Sequence, residues 1–187
     1  MSDSEDLELL PRSPVQAAQR CLALLAVVER VYEQPPARIS AWVNEHNIFQ
    51  YFSAEEAAFF EAPEPPEEQR VSFSWRAEAM IPLLWALGQI PKLPPLNEKA
   101  NLGSIPSVHS AVGDPQLFIE KSSLRPDHVL ADAEADLYHQ HWRVRDAQLF
   151  QKSMPAELDP SIVYERRYAL SWLVGWGEDW DDVPTDT

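Results

Sequence analysis

The sequence predicts an all-α protein: a single-domain orthogonal bundle of six or seven helices with a C-terminal tail folded back across it. Three observations predict it. Glycine is scarce (5) and proline abundant (17), which disfavours strands joined by hairpins and suits helices joined by stiff connectors. Apolar residues recur at three- and four-residue spacing in several long stretches, and no alternating run is long enough to build a sheet. The segment 176–187 holds Trp176, Trp180 and five acids with no base among them. Rings that large are normally buried, so this segment is expected to seat on the body by its indoles and present its acids. At 187 residues, the chain is long enough for one domain with a substantial core.

The elements follow in order. Residues 1–12 are acidic, lack an apolar period and read as a disordered arm preceding one helical domain, 13–187. Ser13-Pro14 supplies an N-cap and a proline at the first helical position, where its missing N–H costs nothing. This helix runs to about residue 34 and stops before Pro35-Pro36. Two apolar stripes, one through Val15, Ala18, Leu22 and Leu25 and another through Ala17, Cys21, Leu24 and Val28, mark it as the central helix. A shorter helix spans 37–47, and Ser53-Ala-Glu-Glu56 is a capping box opening another at 54–61. An acidic, proline-rich connector at 61–68 leads into an apolar helix at 67–89. Pro82 leaves the Glu78 carbonyl without its helical donor, so a kink or local break is expected there. The stretch 91–113 is the least regular. Asp114-Pro115, Pro126 and Asp159-Pro160 then open helices to about 122, 151 and 175.

Charge narrows the partners. Against 30 acids stand 15 bases, a net charge of −15. Nine of the acids lie within 1–8 and 176–187, and removing them leaves 21 acids against 15 bases. An acidic body with more acidic ends repels nucleic acid and anionic membranes and favours a basic protein partner, a cation, or simply solubility. Cys21 is the single cysteine, so no internal disulfide forms; within its apolar run it reads as a small core residue. No leader pattern opens the chain, and the longest apolar run, 21–28, falls far short of the ~20 residues that span a bilayer. A cytoplasmic location is the expectation.

Several stretches in ordered combination carry a resemblance. They are Arg12-Ser13, Phe73-Ser-Trp75-Arg76-Ala-Glu78-Ala79, Leu83-Leu-Trp85-Ala-Leu-Gly88, Tyr138-His-Gln-His-Trp142, Glu165-Arg166-Arg-Tyr-Ala-Leu170-Ser-Trp172, and Trp180-Asp-Asp-Val183. From about residue 12 to its end the chain resembles the bacterial family known as domain of unknown function 4272. The resemblance implies a helical single domain of bacterial origin. It implies no activity, so no catalytic residue is carried over.

Candidate site residues come from side-chain chemistry. Arg76 and Glu78 on one apolar helix, and Arg166 on another, suit internal ion pairs; the functional alternative is an anion clamp. Trp180, Asp181 and Asp182 are the corresponding candidates on the tail, with Asp181 or Asp182 expected to reach back to Arg76, Arg166 or Arg167. On the long helix, Asp132, Asp136 and His139 share a face at metal-ligand spacing, but a solvated face with charge pairs explains them as well. Arg143 on the same face opposes a cation, and no HExxH pattern is present, so no metal and no cofactor are assigned. His141, on the opposite face, reads as a hydrogen-bonded core histidine. No GxSxG elbow and no phosphate-cradling glycine loop occur. The expected function is a non-enzymatic, acidic protein-binding module with a basic partner, in its sharpest form a bacterial immunity protein that neutralises a toxin. The alternative is an enzyme, metal-dependent through the long helix or built around the cleft near Arg76.

Overall fold

A computed structural model describes residues 9–185. Nine α-helices account for most of them: α1 (Pro14–Tyr32), α2 (Ala37–Glu45), α3 (Ala54–Glu61), α4 (Glu67–Ser74), α5 (Arg76–Ala86), α6 (Pro106–Gly113), α7 (Pro115–Glu120), α8 (Asp127–Leu149) and α9 (Pro160–Val174). Short 3-10 turns lie at Ile48–Tyr51, Leu102–Ser104 and Trp180–Asp182. No strand occurs among the described residues, so the all-α expectation holds. No helix among them is long and apolar enough to cross a membrane.

Two findings raise the helix count. The rod expected over 67–89 is divided at Trp75, and α6 lies inside the stretch expected to be irregular. A break in the helix at Pro82 is not found, since Pro82 sits within α5 and the division falls seven residues earlier. The physical reason is packing. Phe73 of α4 stacks on Phe59 at 4.1 Å within a small cluster holding Val27 and Val31, whereas Ala79 to Leu87 belong to the main core. The two halves are pulled toward different neighbours, and the helix yields between them.

The core is α1, α5 and α9, with α8 laid against α9. From Leu22 to Val27 the α1 side chains are almost wholly buried, as expected of a central helix, each large one contributing about 1.5–3 kcal/mol. Ser13 and Gln16 form a capping box at its start, with reciprocal bonds of 3.1 and 2.8 Å. The Ser53–Glu56 box at α3 is formed as expected, with bonds of 3.2 and 2.9 Å. Asp159 caps α9 through the N–H groups of Ser161 and Ile162. α9 ends at Gly175, whose φ of +113° suits only glycine; a Cβ there would lie 2.6 Å from the Leu10 carbonyl oxygen.

Of the expected arm 1–12, residues 1–8 lie outside the described residues. Arg12 donates its backbone N–H to the Leu173 carbonyl at 2.8 Å and sets its guanidinium 5.3 Å from the Trp172 ring.

Candidate functional site

α5 and α9 each contribute one arginine and one glutamate to two salt bridges at their contact. Arg76 Nη1 lies 2.9 Å from Glu165 Oε2, and Arg166 Nη2 lies 3.0 Å from Glu78 Oε2. The second pair is almost wholly buried. All five Arg166 donors are spent: Nε and one Nη2 proton on Glu78, the other Nη2 proton on the Glu98 carbonyl, and Nη1 on the carbonyls of Pro94 and Pro95. The other Glu78 oxygen accepts from the Ala100 N–H at 2.7 Å. Arg166 and Glu78 therefore fasten the irregular 94–100 stretch to the core, and Arg166 has no donor left for a ligand. The Arg76–Glu165 pair is less closed, and burial pushes the Glu165 carboxyl above its ordinary range against the opposing pull of Arg76.

The tail folds back with Trp180 seated as expected, but Trp176 is exposed and the acids make other contacts than expected. Trp180 is buried, edge-on to Tyr168 at 5.2 Å and to Trp172 at 5.5 Å, with the Arg20 guanidinium 5.0 Å from its ring. Its carbonyl accepts the Tyr168 hydroxyl. The expectation that Asp181 or Asp182 pairs with Arg76, Arg166 or Arg167 is corrected. Glu165 and Glu78 already occupy the first two arginines, and Arg167 meets the tail at the Thr185 carbonyl, 3.1 Å away. Asp181 Oδ2 instead accepts the Glu55 N–H at 3.0 Å in the first turn of α3, and Asp182 is exposed. A carboxylate there complements the unpaired N–H groups and positive end of that helix.

Sequence reasoning missed Arg20 and Glu56. Arg20 Nη1 bonds both Glu56 oxygens at 2.7 Å, and its other nitrogen reaches the Tyr51 carbonyl. Glu56 thus closes the α3 capping box and neutralises a buried guanidinium at once. The capping pattern was visible in the sequence; the partner 36 residues away was not.

Asp132, Asp136 and His139 stand on the exposed face of α8. Among the described residues no three His, Cys, Asp or Glu side chains gather to hold a metal ion. Asp136 accepts from Gln140, and His139 stacks on Trp142. One exposed helix face presents its ligands side by side without enclosing an ion, so the metal candidacy is withdrawn.

His141 is buried, with Nδ1 2.6 Å from Arg167 Nη1 and its ring edge-on to Tyr164. The arginine can only donate, so Nδ1 accepts and the proton sits on Nε2. Burial, then Arg167 and Arg145, push its pKa down to about 4, which leaves it neutral at pH 7. His141, Arg145, Tyr164 and Glu165 line a cleft of about 290 Å³ between α8 and α9.

The exposed acids gather elsewhere. Glu55 and Glu68 help to line a groove of about 630 Å³ between α3 and α4, together with Ala58, Gln69, Ser72 and Phe73. Asp181 joins the tail to this rim at Glu55, and Glu178, Asp179 and Asp182 on the tail are exposed, as are Glu64 and Glu67 on the connector and at the start of α4.

No curated protein and no solved structure matches the chain. One family does, described as Domain of unknown function (DUF4272); it matches residues 2–183 of the 187, and the chain belongs to that family.

Proposed function

We propose that this protein is an acidic protein-binding module whose tail and α3–α4 ridge receive a basic protein partner. The observation that carries the proposal is the Asp181–Glu55 bond, because it joins the tail carboxylates to the Glu55–Glu68 groove. Trp180 and its aromatic partners hold the tail rigidly, so the acids are presented in place and little order is lost on binding. Carboxylates beside a groove that also holds Ala58, Pro66 and Phe73 complement a partner's lysine or arginine side chains, which combine apolar methylenes with a charged head. In the sharper form the protein is a cytoplasmic bacterial immunity protein, and the ridge covers the cationic active site of a toxin.

The test is a pull-down from the native host over a salt gradient, with mass spectrometry. The reading expects basic proteins to be retained by the wild-type chain and by Asp132→Lys/Asp136→Lys, and lost with Glu55→Lys/Glu68→Lys. Equal loss with both variants would reduce the effect to net charge and sink the ridge as a specific surface.

A second reading has one observation of its own. The cleft between α8 and α9 is lined by a neutral imidazole from α8 and a carboxyl shifted upward by burial from α9, a pairing that suits proton transfer. Incubation with a metabolite extract, followed by mass spectrometry, tests it. Consumption of a compound by the wild-type chain but not by Tyr164→Phe or Arg145→Gln supports an enzyme, and no consumption removes the reading.

A further inference from the structure

Arg30, in the last turn of α1, is wholly buried. The guanidiniums of Arg20, Arg76 and Arg166 each meet a carboxylate within 3.0 Å, and half-buried Arg125 spends its donors on the carbonyls of Trp85, Ile90 and Pro91. Arg30 meets none among the described residues. Its Nε donates to the Phe60 carbonyl at 3.3 Å and one Nη2 proton to the Ala62 carbonyl at 2.7 Å, while Nη1 is buried without a hydrogen-bond partner. Two carbonyls and the negative end of α1 supply only partial charge against a full cation. A buried charge without a counter-ion is unfavourable, and an unused buried donor adds its own desolvation cost. Desolvation and the neighbouring Arg70 accordingly disfavour the charged guanidinium.

Arg30 also contributes to the wall of a groove of about 310 Å³. Ser40 and Asn44, one turn apart on α2, bring a hydroxyl and an amide to it, and Val43, Phe49 and Phe60 make it largely apolar. Its one acid, Glu61, is exposed at the rim, so a dianion is disfavoured against a monoanion.

We propose that this groove binds a carboxylate carrying an apolar body, with Arg30 as its charge partner and Ser40 and Asn44 as secondary donors. Nη1 is closed off from water, so a lining side chain must shift to admit the carboxylate, and Phe49 is exposed in that lining. The apolar body then lies against Val43 and Phe60. The chemistry fits a free organic acid or the C-terminal carboxylate of a polypeptide ending in an apolar residue. The site is distinct from the α3–α4 ridge and does not depend on the reading given above.

The test titrates the full chain with sodium phenylacetate, phenylacetamide, inorganic phosphate, and Gly-Gly-Phe as free acid and as amide, followed by ¹⁵N NMR. The expected result is saturable shifts at Arg30 Nε–H, Ser40 and Asn44 with either acid and not with its amide. Arg30→Met should weaken binding roughly 10- to 100-fold, the scale of one charge-assisted hydrogen bond pair. Tighter binding of phenylacetate than of the peptide acid identifies a free organic acid as the source, and the reverse identifies a polypeptide terminus. Absence of saturation, equal binding of acid and amide, or equal binding of phosphate overturns the proposal. If Arg30→Met fails to fold, the acid–amide contrast on the wild-type chain decides alone.

Discussion

Glu78→Ala is the sharpest perturbation of the α5–α9 contact. The carboxylate is buried and takes two bonds from Arg166, at 3.2 and 3.0 Å, and a third from the Ala100 N–H. Its removal leaves the Arg166 cation among the carbonyls of Pro94, Pro95 and Glu98, which supply dipoles but no counter-charge. Breaking a buried pair by deleting one partner costs about 3–5 kcal/mol. That is a large part of the roughly 5–15 kcal/mol that holds a domain together. For a chain of this size, it corresponds to a fall in Tm of roughly 6–20 °C. Arg166→Met should cost a similar amount, because it strands Glu78 and frees three carbonyls of the 94–98 stretch. The two effects share one interaction, so the double variant should be more stable than additivity predicts by about 0.5–3 kcal/mol. Urea unfolding followed by circular dichroism measures all three variants, and hydrogen exchange at the Ala100 amide reports the loop separately. A cost below about 1 kcal/mol for Glu78→Ala, or strict additivity, would refute the view that this pair fastens the loop to the core.

Three further outcomes are expected. His141 is held near pKa 4 in the fold against about 6.5 when unfolded, so below pH 6.5 only the unfolded chain takes up its proton; stability is lost as pH falls from 6.5 to 4, by at most about 1.4 kcal/mol per unit. Glu165 acts with the opposite sign in both proteins, so comparing urea midpoints of wild type and His141→Gln across that range isolates the histidine, and parallel curves would remove this account. Burial pushes the Cys21 thiol up to about 12, so its labelling by a disulfide reagent at pH 8 should keep pace with unfolding, and fast labelling of the native protein would show the α1 core to be open. Gly177 has φ +74°, and a Cβ there would lie 2.5 Å from the Asp182 carbonyl oxygen; Gly177→Ala should cost roughly 1–3 kcal/mol locally and expose the tail to early proteolysis, with an unchanged digest counting against a tightly seated tail.

What the sequence disclosed was local, and what it concealed was pairing. The Ser13 and Ser53 caps, the Asp159 cap and the stop before Pro35 depend on residues within one turn, and they stand where expected. The start of α6 was equally readable, since Pro106 at its first position with Val108 and Ala111 three apart is a helical signal hidden by the surrounding prolines. The division at Trp75 was not readable, because it depends on Phe73 meeting Phe59 while α5 meets α9. The same limit governed the site. Arg76, Glu78, Glu165 and Arg166 stood out by residue type, but a sequence does not say which acid finds which base across some 88 residues. Asp181 was taken from those arginines by a nearer need, the unpaired N–H at the start of α3.

That redistribution bears on function. Glu56, Glu78 and Glu165 are buried, and each is matched by an arginine, so these three pairs cancel and remove nothing from the excess of acid over base. Arg30 and Arg167 are also buried, so among the described residues the excess of acid over base lies on exposed and half-buried side chains. On the tail and the α3–α4 connector Glu64, Glu178, Asp179 and Asp182 are exposed, beside the groove that Phe73 helps to line. A field of that kind acts first on encounter: it raises the association rate of a cationic partner by roughly 10- to 1,000-fold at low salt and loses most of that gain once the Debye length shrinks to about 8 Å. The dissociation rate depends instead on what the partner buries against Phe73 and the tail. A partner whose association slows steeply with salt while its dissociation does not is the kinetic signature this surface demands. Salt acting mainly on dissociation would place the contact away from the ridge.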